Sequence, residues 1–379
     1  MQIFRAAQVF DGWELHPGAA VSVAEGRVVA LHPQGSELPE GAALEELGGG
    51  ILAPGFVDLQ VNGGDGQMIG PATDTGQIRR ICAAHIRLGA TAILPTLISD
   101  RAEVTRKVIA AGVAAAQAEL PGFAGLHLEG PHLDPRRAGA HDRARLRPMA
   151  AEDLAALCEA ARALPALLLT VAPEAVTQEQ IHALRQAGAI VSLGHTGCSA
   201  TEARAAHDAG AQCVTHLFNA MGGLESRAPG LVGAALTTPL KAGIIADGVH
   251  VAPEALQIAL QMKPEDALFL VSDAMAVAGS AADRFTLNGR EILRRAGRLT
   301  LADGTLAGAD ISLPQSVAHL VGLGVPPARA LAMASRVPAD VIGARDRGRI
   351  RPGARADLVL LSPEMALQAV WLGGAPVIG

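Results

Sequence analysis

Residues 122–147 read GFAGLHLEGPHLDPRRAGAHDRARLR, and they contain the feature from which the fold can be inferred. The apolar run at 123–128 predicts a buried strand, and Glu129 stands at its carboxyl end, just before Gly130 and Pro131, which must end the strand. A buried carboxylate is costly unless a cation or a proton compensates its charge. Glu129 therefore indicates a metal ligand or a catalytic group.

Three later apolar runs end in the same way. SLGH ends at His195, CVTH ends at His216 and LFLVSD ends at Asp273. Because the carboxyl ends of parallel strands meet on one side of a sheet, four polar ends on four strands predict a single site.

Apolar runs alternate with Ala-rich helical patterns over most of the chain. We predict strands at 56–60, 91–96, 123–129, 167–173, 189–194, 213–216, 243–247 and 268–273. Helical patterns lie between most of them, at 75–88, 102–120, 151–163, 179–187, 201–209 and 253–262. Eight such units predict an α/β fold, a (β/α)8 barrel of the TIM type, with its active site at the carboxyl ends of the strands.

Both ends of the chain predict a second, smaller domain. Residues 2–50 alternate in short runs punctuated by the turn signals Asp11-Gly12 and Glu25-Gly26, and the tail returns to short strands. We expect a small β-sandwich built from residues 1–53 and 344–379, with the barrel at 54–343. Turn signals also predict an inserted hairpin at 284–304 near the barrel mouth, and the pattern at 311–323 predicts a closing helix.

Composition excludes several classes of function. The chain has 379 residues, is 50% hydrophobic and has a formal net charge of -6, which gives no support for nucleic-acid binding. No apolar run is long enough to span a bilayer, and the charged N-terminus does not resemble a signal peptide. The four cysteines lack C-x-x-C spacing. We therefore expect no membrane contact and a reducing, cytoplasmic location.

The residues Glu129, His195 and His216 could supply three ligands to a divalent metal, with one position open for water. Zinc and iron(II) suit nitrogen and oxygen donors best, and cobalt or manganese could occupy the same site. Taken singly, each histidine is more often a core or surface residue, and Glu129 could instead pair with Arg136 or Arg137. The recurrence at strand ends favours the metal.

Asp273 could take a proton from a metal-activated water and return it to a leaving amine. The alternative is an N-cap for a following helix. His141 and His250 are candidate donors to a carbonyl oxygen or to substrate hydroxyls.

Two further segments bear on the ligand and on the number of metal ions. Residues 216–230 combine Asn219 and Arg227 with glycines, which suits an anion such as phosphate, although a solvated loop explains this composition equally well. Gln60 and Asn62 follow the first strand, where a binuclear enzyme could carry two imidazoles. Neutral amides are poor ligands, so this pair favours one metal ion.

Several motifs resemble one known family. PGFVDLQVNGGDG, LHLEGPHLDPRRAGAH, SLGHT, THLFNAM, APGLVGAAL, IIADGVHV, LVSDAM and GTLAGADI are similar to the motifs of N-acetylglucosamine-6-phosphate deacetylases, in the amidohydrolase superfamily, from about residue 54 onwards. The resemblance implies hydrolysis of N-acetyl-D-glucosamine 6-phosphate to D-glucosamine 6-phosphate and acetate, in amino-sugar catabolism and cell-wall recycling. It also implies a homodimer and one metal ion, as in the branch that Gln60 and Asn62 resemble.

Roles at individual positions follow from the same resemblance. Glu129, His195 and His216 would bind the metal, Asp273 would be the proton acceptor and donor, and His141 would stabilise the oxyanion. The substrate would contact a larger set: Ala140, His141, Asn219, Ala220, Arg227, His250, Leu306, Ala307 and Gly308. Arg227 would reach the neighbouring subunit's site. His132 receives no role.

Two other functions stay open at this point. Another amidohydrolase could act on N-acetylgalactosamine 6-phosphate or on a different N-acetyl compound. A non-catalytic barrel scaffold is the second alternative, and the complete set of candidate ligands argues against it.

Overall fold

The computed structural model describes residues 1–378. The N-terminal segment forms seven strands, each short and separated from the next by a tight turn or a loop. They are β1 (Gln2–Arg5), β2 (Gln8–Phe10), β3 (Leu15–Pro17), β4 (Ala20–Ala24), β5 (Arg27–His32), β6 (Ala43–Glu46) and β7 (Ile51–Pro54).

The next ten strands include the barrel. They are β8 (Phe56–Val61), β9 (Gly63–Gly64), β10 (Gln67–Met68), β11 (Ala90–Ile98), β12 (Leu126–Glu129), β13 (Leu167–Val171), β14 (Ile190–Leu193), β15 (Cys213–Val214), β16 (Lys241–Ile244) and β17 (Leu268–Leu270). The eight predicted barrel strands are confirmed: β8 and β11–β17 form one parallel sheet in sequential order, and β9 pairs with β10 beside it. A parallel bridge from Val61 to Ala274 joins the two edges of the large sheet.

Ten α-helices accompany the strands. They are α1 (Thr75–Arg87), α2 (Ala102–Gln117), α3 (Ala151–Ala163), α4 (Gln178–Gln186), α5 (Ala200–Asp208), α6 (Gly230–Thr237), α7 (Pro253–Met262), α8 (Leu313–Gly322), α9 (Pro327–Ala334) and α10 (Arg336–Val341). The six predicted barrel helices and the closing helix α8 are present, whereas α6, α9 and α10 were not predicted. Two 3-10 turns, Pro135–Arg137 and Arg143–Arg145, lie in the long loop after β12.

The barrel strands are buried because helices cover the outside of the sheet and apolar side chains fill its interior. Phe56, Ile93, Leu126 and Phe269 are among the largest fully buried side chains. This is the expected composition of a parallel sheet that has no solvent-facing side. Leu, Val, Ile and Ala make up most of this core, and a few phenylalanines are among its largest side chains.

The two chain ends build a separate pair of sheets. Strands β22 (Leu358–Leu361), β23 (Leu367–Leu372) and β24 (Ala375–Ile378) join β7, β2 and β3 in a six-stranded sheet, and β22 pairs antiparallel with β7. A four-stranded sheet, β5-β4-β1-β6, shares an apolar core with it, in which the rings of Phe4 and Trp371 lie 5.2 Å apart. The small β-sandwich is confirmed, and its domain boundaries at 53/54 and 343/344 stay a prediction.

The predicted hairpin after β17 is a larger element. Four antiparallel strands form it: β18 (Arg284–Leu287), β19 (Arg290–Arg295), β20 (Arg298–Thr300) and β21 (Leu306–Ala309). Leu287, Ile292 and Leu299 bury a small core with Met275, two residues after Asp273. The inserted sheet therefore lies against the carboxyl ends of the barrel strands.

No helix within residues 1–378 combines the length and apolar character that a membrane crossing requires. The four cysteines form no disulfide in the described part of the chain.

Candidate active site

The predicted residues converge at the carboxyl end of the barrel. A cavity of about 280 Å³ is lined there by Glu129, His141, His195, His216, Asn219, Ala220, His250 and Asp273, together with Ala140, Leu306 and Gly308. Ala307 is buried behind this lining, in the small core of the inserted sheet, and Arg227 lies outside the cavity. The fold thus brings residues that are up to 246 positions apart in the chain, from Asn62 to Gly308, around one cavity.

The backbone turns sharply at three of these positions. His195, His216 and Asp273 have φ angles of +48°, +31° and +48°, in the left-handed region that side chains other than glycine rarely adopt. Each residue comes two or three positions after a barrel strand ends, at β14, β15 and β17. Such backbone costs on the order of 1–3 kcal/mol per residue and is typical of functional sites. Here it accompanies side chains that line the cavity.

Glu129, His195 and His216 form a compact cluster. Glu129 Oε1 lies 3.2 Å from His195 Nε2 and 3.1 Å from His216 Nε2, and the two nitrogens lie 3.1 Å apart. His195 Nδ1 donates to the carbonyl oxygen of Arg137 at 2.9 Å, so Nε2 of the neutral ring carries the lone pair. A carboxylate oxygen and imidazole nitrogens that converge in this way fit a divalent cation.

A second choice of three ligands is also present. Glu129, His141 and His195 each offer one ligand atom, and these atoms all lie within 4.8 Å of one another. His141 Nε2, however, faces the other carboxylate oxygen of Glu129, at 3.6 Å. Two imidazoles therefore share Oε1, whereas His141 approaches Oε2.

The two carboxylates of the site, Glu129 and Asp273, differ in pKa. Burial alone would raise the pKa of Glu129, but the surrounding imidazoles of His141, His195 and His216 hold this pKa well below its usual range. Burial and the nearby Glu129 carboxylate raise the pKa of Asp273 to about 6. Glu129 is therefore a permanent anion near neutral pH, while Asp273 can exchange a proton there.

The two amides after β8 contact the carboxylates directly. Gln60 Nε2 donates to Glu129 Oε1 at 3.0 Å and to Asp273 Oδ1 at 3.2 Å, and Asn62 Nδ2 donates to Asp273 Oδ1 at 2.7 Å. All four side chains are buried or nearly so. The amide donors thus occupy the side of the site where imidazoles would be needed for a second ion.

Neither alternative explanation of the carboxylates is found. Arg136 pairs with Asp134 and Glu174, and no ion pair joins Glu129 to Arg136 or Arg137 within residues 1–378. No helix begins after Asp273 until α8 at Leu313, so the N-cap interpretation of Asp273 is wrong.

Several contributors to the site were not predicted. Asp247 accepts hydrogen bonds from the main chain of Val249 and His250 and from the His250 ring at 2.6 Å, which fixes that ring. Ser99, after β11, contacts His141. The cavity wall also has an apolar part, which contains Ile98, Ile245, Met275 and Leu287. The D-x-x-H spacing of DGVH could have indicated Asp247, whereas no local pattern indicates the others.

The inserted sheet completes the cavity. Leu287, Thr305, Leu306 and Gly308 line it, and the Arg290 guanidinium donates to the carbonyl oxygen of Ala140. The segment that precedes His141 is therefore tied to the insertion.

This geometry can be compared with known proteins. A profile described as the amidohydrolase family matches residues 51–377. The chain belongs to the amidohydrolase family.

Three amidohydrolases are similar to this chain over most or all of its length. The chain is 36% identical over 379 residues to an N-acetylgalactosamine-6-phosphate deacetylase of Shewanella sp., covering 99% of this chain and 95% of the relative. It is 38% identical over 347 residues to the human N-acetylglucosamine-6-phosphate deacetylase, covering 87% of this chain and 84% of the human protein. The crystal structure of N-acetylglucosamine-6-phosphate deacetylase from Pasteurella multocida superposes with a TM-score of 0.94 at 30% identity, over the full length of both chains.

Proposed function

We propose that this amidohydrolase removes the acetyl group of N-acetyl-D-glucosamine 6-phosphate, releasing D-glucosamine 6-phosphate and acetate in amino-sugar catabolism and cell-wall recycling. The observation that carries the proposal is the cluster of Glu129, His195 and His216 with Asp273 beside it, in a cavity of about 280 Å³. The human relative and the Pasteurella structure bear the name of this deacetylase.

One divalent metal ion would be held by Glu129, His195 and His216, and zinc or iron(II) suits this donor set best, with cobalt and manganese as other candidates. When bound, such an ion activates water and polarises a carbonyl. The shared position of Glu129 Oε1 between the two imidazoles supports His216 over His141 as the third ligand. The amides of Gln60 and Asn62 support a single ion.

The residues of the chain would carry the proton and position the substrate. Asp273 accepts a proton from the attacking water and then donates it to the leaving amine. Its Oδ1 is held by Gln60 and Asn62, and no residue within 1–378 bonds to Oδ2, so Oδ2 is the oxygen we assign to proton transfer. His141 donates a hydrogen bond to the acetyl oxygen as negative charge develops on it.

We assign the phosphate to the polar side of the cavity. Asn219, Ala220 and His250 line that side, and the sugar would lie against Ala140, Leu306 and Gly308, with Ala307 packed behind them. Arg227 is exposed and lies outside its own chain's cavity, which supports a homodimer in which Arg227 binds the phosphate in the partner's site. Arg227 and Arg204 line the same surface pocket.

The epimer N-acetylgalactosamine 6-phosphate is the second candidate substrate. The Shewanella relative bears that name and matches almost the whole chain. Free cysteines support a reducing compartment, and we place the protein in the cytoplasm.

A substrate panel tests the proposal. Purified protein should release acetate from N-acetylglucosamine 6-phosphate faster than from its galacto epimer or from either sugar without phosphate. Faster release from the galacto epimer would favour the second candidate. No release from any N-acetyl compound, with no bound metal, would favour a non-catalytic scaffold.

Mixed dimers test the role of Arg227. Arg227→Ala chains retain Asp273, and Asp273→Asn chains retain Arg227, so a dimer of one each has one complete site if the arginine crosses the interface. Random mixing should then recover about one quarter of wild-type activity. Arg204→Ala is the matched control for loss of a surface arginine. Absence of recovery would place Arg227 outside the partner's site.

A further inference from the structure

The side of His141 that faces away from the cluster is held by Ser99. Ser99 follows β11 directly, and His141 lies in the loop after β12. The main-chain nitrogen of Ser99 lies 3.2 Å from His141 Nδ1, and Ser99 Oγ lies 2.8 Å from the same nitrogen. Both residues are buried, with exposed fractions of 2% and 5%.

These contacts decide which ring nitrogen carries the hydrogen. A main-chain N–H can only donate, so Nδ1 must offer it a lone pair. If Nδ1 carried the hydrogen instead, two N–H groups would face each other, and the buried N–H of Ser99 would lose its acceptor. The neutral ring of His141 therefore has its hydrogen on Nε2.

The opposite side of the ring agrees with this assignment. Nε2 faces Glu129 Oε2, a hydrogen-bond acceptor, at 3.6 Å. A protonated Nε2 has no lone pair to give to a metal, so His141 acts as a donor and leaves His195 and His216 as the nitrogen ligands.

Glycine at position 130 provides the space for Ser99. A Cβ there would lie 2.2 Å from Ser99 Oγ, and Gly130 has a φ angle of +82°. Ser99 Oγ also lies 3.4 Å from the carbonyl oxygen of Glu129. The serine is thus fitted between the strand end that carries Glu129 and the ring of His141.

We propose that Ser99 is a positioning residue for the reaction: its main-chain N–H and its hydroxyl hold Nδ1 of His141, so that the ring presents an Nε2–H to the acetyl oxygen. The inference rests on the proposed function for the identity of the acceptor, while the tautomer itself can be measured independently of activity.

Nitrogen NMR of histidine-labelled, zinc-loaded protein measures the tautomer. His141 should show an unprotonated Nδ1 and a protonated Nε2, with its signals assigned by their loss in His141→Asn. Two other histidines are internal references: the His207 Nδ1 faces the carbonyl oxygen of Ala211 at 2.9 Å, and the His85 Nε2 faces that of Gly63 at 2.9 Å. A hydrogen on Nδ1 of His141 would overturn the proposal.

The variant Ser99→Ala tests the hydroxyl, because it keeps the main-chain N–H. We expect kcat to fall about tenfold, the loss of one hydrogen bond, with KM and bound zinc unchanged. Ser192→Ala is the matched control, since Ser192 is a buried barrel serine whose hydroxyl bonds Thr215 instead.

Other results would contradict the assignment. An unchanged kcat, or an equal loss in Ser192→Ala, would remove the positioning role of the hydroxyl, and loss of zinc or of folding would make its role structural. If the wild-type protein released no acetate from any sugar, the proposed function would fail while the NMR measurement still decided the tautomer.

Discussion

Asp58 should make the stability of this protein fall as the pH rises. It lies on β8 with an exposed fraction of 1%, and its Oδ1 accepts the main-chain N–H groups of Gln60 and Ser272 at 3.2 Å each, while Oδ2 has no partner within residues 1–378. Burial raises the pKa of Asp58 from 3.8 to about 7. The buried carboxylate is therefore poorly compensated.

The sign and size of the effect follow from linkage. The folded protein holds this proton more tightly than the unfolded chain, so the free energy of unfolding falls as the pH rises from 3.8 to about 7 and stays low above that. A pKa difference of about 3 units corresponds to about 4 kcal/mol in total. The Asp58→Asn side chain resembles the protonated acid in shape but does not titrate, so this variant should lack the contribution of Asp58 to the pH dependence of stability.

Urea unfolding with a chelator present, which keeps the metal content constant, measures the effect. The stability of Asp58→Asn relative to wild type should increase by about 3 kcal/mol between pH 5 and pH 8. Asp153→Asn is a control of opposite sign, because the hydrogen bond from Arg147 lowers the pKa of Asp153 and its loss should destabilise the protein at neutral pH. A stability difference for Asp58→Asn that does not change with pH would refute the reasoning.

Three predictions concern the site. Asp273→Asn should lower kcat about 10²–10⁴-fold while metal content stays the same. Wild-type activity should rise with pH as the Asp273 carboxylate forms, and near-normal turnover in the variant would remove its proton-transfer role. Replacing Gln60 and Asn62 together by His should raise the metal content from one ion per chain to two, as measured by elemental analysis. A single ion in this variant would show that the two amides do not decide how many metal ions the site binds. Arg227→Ala should raise the KM for phosphorylated sugars about tenfold or more and leave the KM for unphosphorylated sugars unchanged. Equal effects on both KM values would exclude a phosphate contact.

The barrel could be predicted because its strands are mostly apolar runs and helical patterns lie between most of them. The run ending at Glu129 is an example: it is buried along its whole length as β12. Helix α6 escaped prediction because its sequence, GLVGAALT, is apolar on every side and shows no helical periodicity. The inserted sheet was predicted only as a hairpin at 284–304, and its last strand, β21 at Leu306–Ala309, lies beyond that segment.

The ligand candidates could be found because they recur at strand ends, a one-dimensional pattern. The residues that contact these candidates could not be found from the sequence. Ser99 and His141 are 42 positions apart, and their contact depends on how far the loop after β12 folds back over the barrel. The donation from Gln60 to Asp273 spans 213 positions and exists only because β8 and β17 meet when the barrel closes. Sequence periodicity carries no information on such distances.

The central claim is that one metal ion, with Asp273 beside it, catalyses amide hydrolysis in this cavity. The most direct measurement is acetate release from N-acetylglucosamine 6-phosphate on a single preparation, before and after chelation, with metal content determined by elemental analysis at each step. We predict about one divalent ion per chain, loss of activity as that ion is removed and recovery on adding zinc. Full activity in metal-free protein, or two ions at full occupancy in the wild type, would contradict the account.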